Sequence, residues 1–128
     1  MKYISSILLI KGNKFLYTLN KDKNTLLNIP NFKLKNDENF KNACIRGLKD
    51  NVGIHINDKD LILLYEFFNE DYYIKVYLSF IHSGYIDIDK SIKYYSIKWL
   101  PIDFLKKTIA LKKNNIELYN NYIEYITI

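Results

Sequence analysis

The chain of 128 residues is 48% hydrophobic and 26% charged, which excludes a disordered polymer and supports one folded unit with a genuine core. Its formal charge of +5 and isoelectric point near 9.1 come from scattered lysines without a dense basic run. A dedicated nucleic-acid binder is therefore not expected, and an A+T-rich coding sequence suffices to explain the wealth of Ile, Lys, Asn and Tyr. Cys44 is the only cysteine, so no internal disulfide forms and the composition fits a reducing cytosol.

The opening run Tyr3 to Ile10 is a short apolar stretch interrupted by two serines, and it meets Lys11-Gly12-Asn13-Lys14 without a small-residue cleavage pattern. No stretch approaches the ~18 apolar residues needed to span a bilayer, so a cytoplasmic protein without membrane association is expected. The same run, 3–10, and the run 14–20 are β-branched and aromatic, and Gly12-Asn13 between them predicts a hairpin. A polar connection at 21–25 follows, and 26–38 reads as extended or looped because Pro30 biases Ile29 away from helix.

From Asn39 the apolar period becomes helical through Phe40, Ala43, Cys44, Leu48 and Val52, with Asn36 or Asp37 as the predicted cap. Asn51 and Gly53 end this helix, glycine being the natural residue for a left-handed stop. Strands are predicted at 61–68 and 72–81 around the turn 69–71, and a further strand at 92–100 after the loop 82–91. Pro101 is expected at the first position of a short helix over 102–110. The segment 114–126 reads as a terminal helix, its tyrosines and isoleucines leaving a strand open. No repeat, linker or second domain is visible, so a single domain over 1–128 is expected.

The order of hairpin, Pro-containing loop, Gly-terminated helix, two strands, and a Trp-bearing strand with a following short helix resembles the Nudix (MutT-like) family over about residues 1–110. The family's signature, G-x5-E-x7-R-E-U-x-E-E-x-G-U with U aliphatic, fits in one unbroken register at 32–54. Glu38, Arg46, Leu48, Gly53 and Ile54 match it. Phe32 stands at the first glycine, Gly47 at the first glutamate of the helix, and Asp50 and Asn51 at the paired glutamates. The Pro-Gly-Gly that often precedes the box is Pro30-Asn31-Phe32 here, and 111–128 is an unmatched C-terminal extension.

The resemblance implies an α+β fold, an α/β/α sandwich around a mixed sheet. It also implies Mg²⁺- or Mn²⁺-dependent hydrolysis of nucleoside diphosphates linked to another moiety. Such chemistry needs clustered oxygen ligands, because Mg²⁺ is hard, octahedral and slow to dehydrate. Positions 47, 50 and 51 fall on one helical stripe, yet glycine offers no ligand there and asparagine only a neutral carbonyl. One acid, Asp50, remains on the stripe. The box is therefore read as degenerate, with a nucleotide-like ligand or a protein as partner, a homodimer among the options, and catalysis impaired.

The alternative reading is an active hydrolase with relocated acids drawn from Glu66, Glu70, Asp71, Asp87 or Asp89. Any metal would rest on Asp50 and Glu38; the family resemblance gives Glu38 and Arg46 an architectural role. Lys41, Arg46 and Lys49 are candidate phosphate contacts, against the reading that exposed lysines are merely solvated. His55 and His82 lack ligand spacing, and Cys44 sits on the apolar stripe as core filler. The aromatic residues at 65–73 are either core or a stacking surface, and Trp99 is read as core.

Overall fold

The computed structural model describes residues 1–21, 27–68, 70–87, 89, 94–108 and 113–127. The elements in chain order are β1 (Lys2–Lys11), β2 (Lys14–Asn20), β3 (Asn31–Lys33), α1 (Phe40–Val52), β4 (Ile54–His55), a 3-10 turn (Asp58–Asp60), β5 (Ile62–Phe68) and β6 (Tyr72–Ser79). They continue with β7 (Ser83–Gly84), β8 (Tyr94–Pro101), α2 (Asp103–Thr108) and α3 (Lys113–Thr127).

The main sheet runs β5-β6-β1-β2-β8, with β3 paired to β1 beside that path. It is mixed: β1 lies parallel to β6, while the β1–β2, β1–β3, β2–β8 and β5–β6 pairs are antiparallel. β1 therefore shares one edge with β6 along nearly its whole length. Its other edge is divided between β3 at Ile4 to Ser6 and β2 at Ile10 and Lys11.

Alternation along the strands makes two cores. Ile7, Leu9, Leu16, Tyr77 and Ile97 face α1 and pack with Cys44, Leu48 and Val52. Leu8, Ile10, Phe15, Ile74, Val76 and Leu78 face the opposite side and pack with Leu105 of α2 and Leu118 and Tyr122 of α3. The sandwich expected from the sequence, helices on both faces of a mixed sheet, is the observed architecture. No helix among the described residues is long and apolar enough to cross a membrane.

The hairpin forms as predicted, with Gly12 alone taking a positive φ of 63°, the signature of a turn that needs glycine at its first central position. Gly53 closes α1 at φ 89°, its N–H donating to the carbonyls of Leu48 and Lys49. The start of α1 differs from expectation: Asn39 is the cap, its side-chain oxygen accepting from the Asn42 N–H at 2.7 Å. Asn36 and Asp37 are consumed by a turn that the Glu38 N–H closes on the Lys35 carbonyl, with Asp37 at φ 64°.

Pro101 also differs, ending β8 opposite Lys14 rather than beginning a helix. β8 is an edge strand, where a missing N–H costs no ladder bond. The helix α2 starts two residues later, after the Ile102 N–H donates to the Asn13 carbonyl. The 114–126 segment is helical. The expected connections at 21–25 and 69–71, the loop 82–91, the first residues of the strand at 92–100 and the end of the helix at 102–110 lie partly outside the described residues.

Candidate functional site

Residues 32–54 form a strand, a loop and a helix that fold back on one another. Glu38 is the hinge of this unit. Its carboxylate accepts from Arg46 Nε at 2.7 Å and Arg46 Nη2 at 2.8 Å, a two-pronged ion pair, and from the Lys35 N–H at 2.9 Å. Arg46 Nη2 also donates to the Lys33 carbonyl at 3.1 Å, so one guanidinium ties β3, the loop and α1 together. The hydrogen bond from Arg46, opposed by burial and aided by the Lys35 N–H, holds the Glu38 carboxyl down at about 2. The same bond raises the guanidinium pKa further, with a smaller contribution from the charge of Asp50.

Phe32 lies on the α1 face because it pairs with Ser5, whose neighbour across the core is Cys44. Its ring is buried directly against Gly47. A Cβ added at Gly47 would stand 2.2 Å from Phe32 Cγ and 2.4 and 2.6 Å from the two Cδ atoms. Distances this short and this similar mean that the helix backbone meets the ring on its face. One turn on, Asn51 Nδ2 donates to the Gly47 carbonyl at 2.9 Å, so that side chain is bonded back to its own helix.

Asp50 is exposed on the same helix, within electrostatic reach of Arg46. Asp87 is brought to the end of α1, its N–H donating to the Val52 carbonyl at 2.7 Å and its Cβ lying beside Gly53. Its carboxylate accepts from the Asp89 N–H at 3.2 Å. The small β4–β7 pair, Ile54 with Gly84 and His55 with Ser83, fixes this loop against the helix terminus. Among the described residues no group of three or more His, Cys, Asp or Glu side chains is placed to hold a metal ion. With no side chain at 47 and only a neutral amide at 51, the donor set on this stripe does not suit a hard divalent cation.

The other candidates separate. Lys41 pairs loosely with Asp58 at 3.9 Å on the surface, and Lys49 is exposed in the last turn of α1. Glu66 accepts from the Tyr73 hydroxyl at 3.1 Å, in a surface group where Phe40, Tyr3 and Phe68 pack around the Tyr73 ring. His55 is exposed; His82 is half-buried with its ring 5.3 Å from that of Trp99, and burial lowers its pKa. Cys44 is fully buried and its thiol is pushed up to about 12 by burial.

No family sequence model matches the chain, and no curated protein matches it by sequence. Solved structures do. A hydrolase of the Nudix family from Clostridium perfringens superposes with a TM-score of 0.74 at 15% identity, covering 97% of both chains. A Nudix hydrolase from Nitrosomonas europaea gives 0.74 at 16%, covering 96% of this chain and 88% of that one. The fold is that of the MutT/Nudix hydrolases. A MutT/Nudix family protein from Enterococcus faecalis gives 0.66 at 18%, and there the match takes 78% of this chain but only 43% of the other. Identities this low carry the Nudix fold and not an activity.

Sequence reasoning identified the Glu38–Arg46 pair and the exposed Asp50. It missed the contact between Phe32 and Gly47 and the capture of the Asn51 amide. A signal for the first was present: where the box has glycine the chain has phenylalanine, and where the box has glutamate it has glycine. Two departures of opposite size in one motif point to a contact between them.

Proposed function

We propose that this Nudix-fold chain is catalytically impaired and uses the retained scaffold to bind a nucleotide-like ligand or a protein. The observation that carries the reading is the Phe32 ring packed on Gly47, 2.2 Å from where a Cβ would stand, which fills the place of the first acid of the stripe. With no side chain at 47 and a neutral amide at 51, Asp50 is the one charged oxygen donor of the stripe. A single exposed carboxylate binds Mg²⁺ weakly, because the ion gives up its water only to several well-placed oxygens. The scaffold, by contrast, is held by the Glu38–Arg46 fork, which needs no ion.

A second reading has one observation in its favour. The backbone bond between Asp87 and Val52 brings two further acids, Asp87 and Asp89, to the end of α1. In that reading an Mg²⁺ or Mn²⁺ ion draws Asp50, Asp87 and Asp89 together, which the fold alone does not do, and the chain hydrolyses nucleoside diphosphates linked to another group.

One pair of measurements separates them. Phosphate or nucleotide release is followed from a panel of nucleoside diphosphate conjugates with Mg²⁺ or Mn²⁺, and the melting temperature is recorded with each nucleotide in the presence and absence of EDTA. The expected result is no turnover above the blank and a ligand-induced rise in melting temperature that survives chelation. Turnover abolished by EDTA and by Asp50→Ala establishes the second reading instead. A chain that neither turns over nor responds to any nucleotide leaves the protein partner as the ligand.

A further inference from the structure

We infer that Phe32 and Gly47 are an interlocked pair, in which the phenyl ring occupies the space an acidic side chain at 47 would need. On this inference a divalent-cation site returns to the helix only when both positions change together with Asn51. The inference deepens the reading of an impaired site and rests on it only in taking α1 as the place where a cation would sit.

The first support is steric. The atom that a Cβ at 47 would strike first is Phe32 Cγ, at 2.2 Å. Cγ is fixed by a single side-chain torsion, so the ring cannot bend its far end away and must leave as a whole. Phe32 is 2% exposed and packed in the core beneath α1, so leaving means opening that core.

The backbone on either side removes the remaining freedom. Phe32 is paired with Ser5 in the middle of β3, and the next carbonyl, that of Lys33, accepts from Arg46. Arg46 is the residue before Gly47. Two adjacent helix residues therefore hold two adjacent strand residues, one by a hydrogen bond and one by ring-to-backbone contact. Neither partner can shift by an ångström without breaking the other connection. On the same stripe Asn51 Nδ2 donates to the Gly47 carbonyl, and its neutral amide supplies no charge for a cation. Against the box pattern, the side chain missing at 47 is matched by one gained at 32, and the pair keeps the space between β3 and α1 filled without any ion.

The test combines a stability cycle with ion binding. Phe32→Gly, Gly47→Glu and the double variant are melted, and Mn²⁺ binding to each, and to the triple variant carrying also Asn51→Glu, is read from the loss of the free-ion electron paramagnetic signal on titration with MnCl₂. Each single variant is expected to melt on the order of 10 °C lower, one from a cavity and the other from a clash. The double variant is expected to lose much less than the sum. Mn²⁺ is expected to bind the triple variant at least 10-fold more tightly, as an order-of-magnitude expectation for restored acids, than it binds either the wild type or Gly47→Glu. A milder cycle, Phe32→Ala with Gly47→Ala, reads the same coupling should the larger changes fail to fold, because alanine at 32 has no Cγ to strike.

Additive losses in that cycle overturn the proposal. So does Mn²⁺ binding by Gly47→Glu alone as tight as by the triple variant, or a folded triple variant that binds no Mn²⁺. Hydrolysis by the wild type would sink the impaired-site reading on its own, because the cycle reports a contact and not an activity.

Discussion

Acidification tests the clamp between Glu38 and Arg46. The Glu38 carboxyl is held at about 2, against an ordinary 4.5. The difference of about 2.5 units, at about 1.36 kcal/mol per unit, sets a ceiling of roughly 3.4 kcal/mol. Arg46 keeps 24% of its side chain in solvent and its bond to Lys33 lies at the surface, so screening lowers the contribution to about 1–2 kcal/mol. The sign follows from the direction of the shift. A depressed carboxyl contributes fully above the unfolded value of 4.5, and that contribution is lost as pH falls from 4.5 toward 2. Urea unfolding of the wild type and of Glu38→Gln, measured from pH 7 down to pH 2.5, isolates this term from the other titrating acids. With a urea slope of about 1.5 kcal/mol/M, the variant midpoint is expected roughly 1 M lower at pH 7, and the two curves are expected to converge below pH 4. Curves that stay parallel through that window would refute the clamp as a source of stability.

Gly47→Ala is the counterintuitive case. Alanine gains about 1 kcal/mol in a helix interior, but overpacking against Phe32 costs about 1–3 kcal/mol, so a lower melting temperature is expected by calorimetry; an increase would deny the contact. Asn39→Ala removes the cap bond to Asn42 and is expected to cost about 1 kcal/mol in urea, whereas Asn36→Ala and Asp37→Ala lack that bond to lose. The Cys44 thiol, buried and raised to about 12, is expected to react with an aromatic disulfide reagent at pH 8 only as fast as the core opens. Urea should accelerate that reaction steeply, and a fast reaction in native buffer would contradict the burial.

The elements that sequence located well are those whose signal is a period or a turn. The runs before and after Gly12-Asn13 gave both strands, and Gly53 gave the end of α1, because few residues accept the conformations found there. The start of α1 was misplaced since three polar residues in sequence, Asn36, Asp37 and Asn39, are all competent caps. Asn39 caps the helix directly after Glu38, which the fork to Arg46 holds across eight positions, a contact that local pattern does not carry. Pro101 was assigned to a helix because its fixed backbone angle suits that place, yet an edge strand tolerates it equally. β4 and β7 are two residues each and have no period to read. Of the candidate site, the identities at 47, 50 and 51 were legible in the sequence; that an aromatic ring from β3 covers the first of them required the fold.

The parallel pairing of β1 with β6, from Lys2 opposite Tyr72 to Leu9 opposite Ser79, bears on how the chain is made. During synthesis β1 waits for its parallel neighbour while about seventy further residues are made, the separation of Lys2 from Tyr72. Until then that edge of β1 stays open, while β2, β3 and α1 cover its other edge and one face. Nascent chains halted before residue 72 should therefore be the species that chaperones retain and that aggregate when chaperones are scarce.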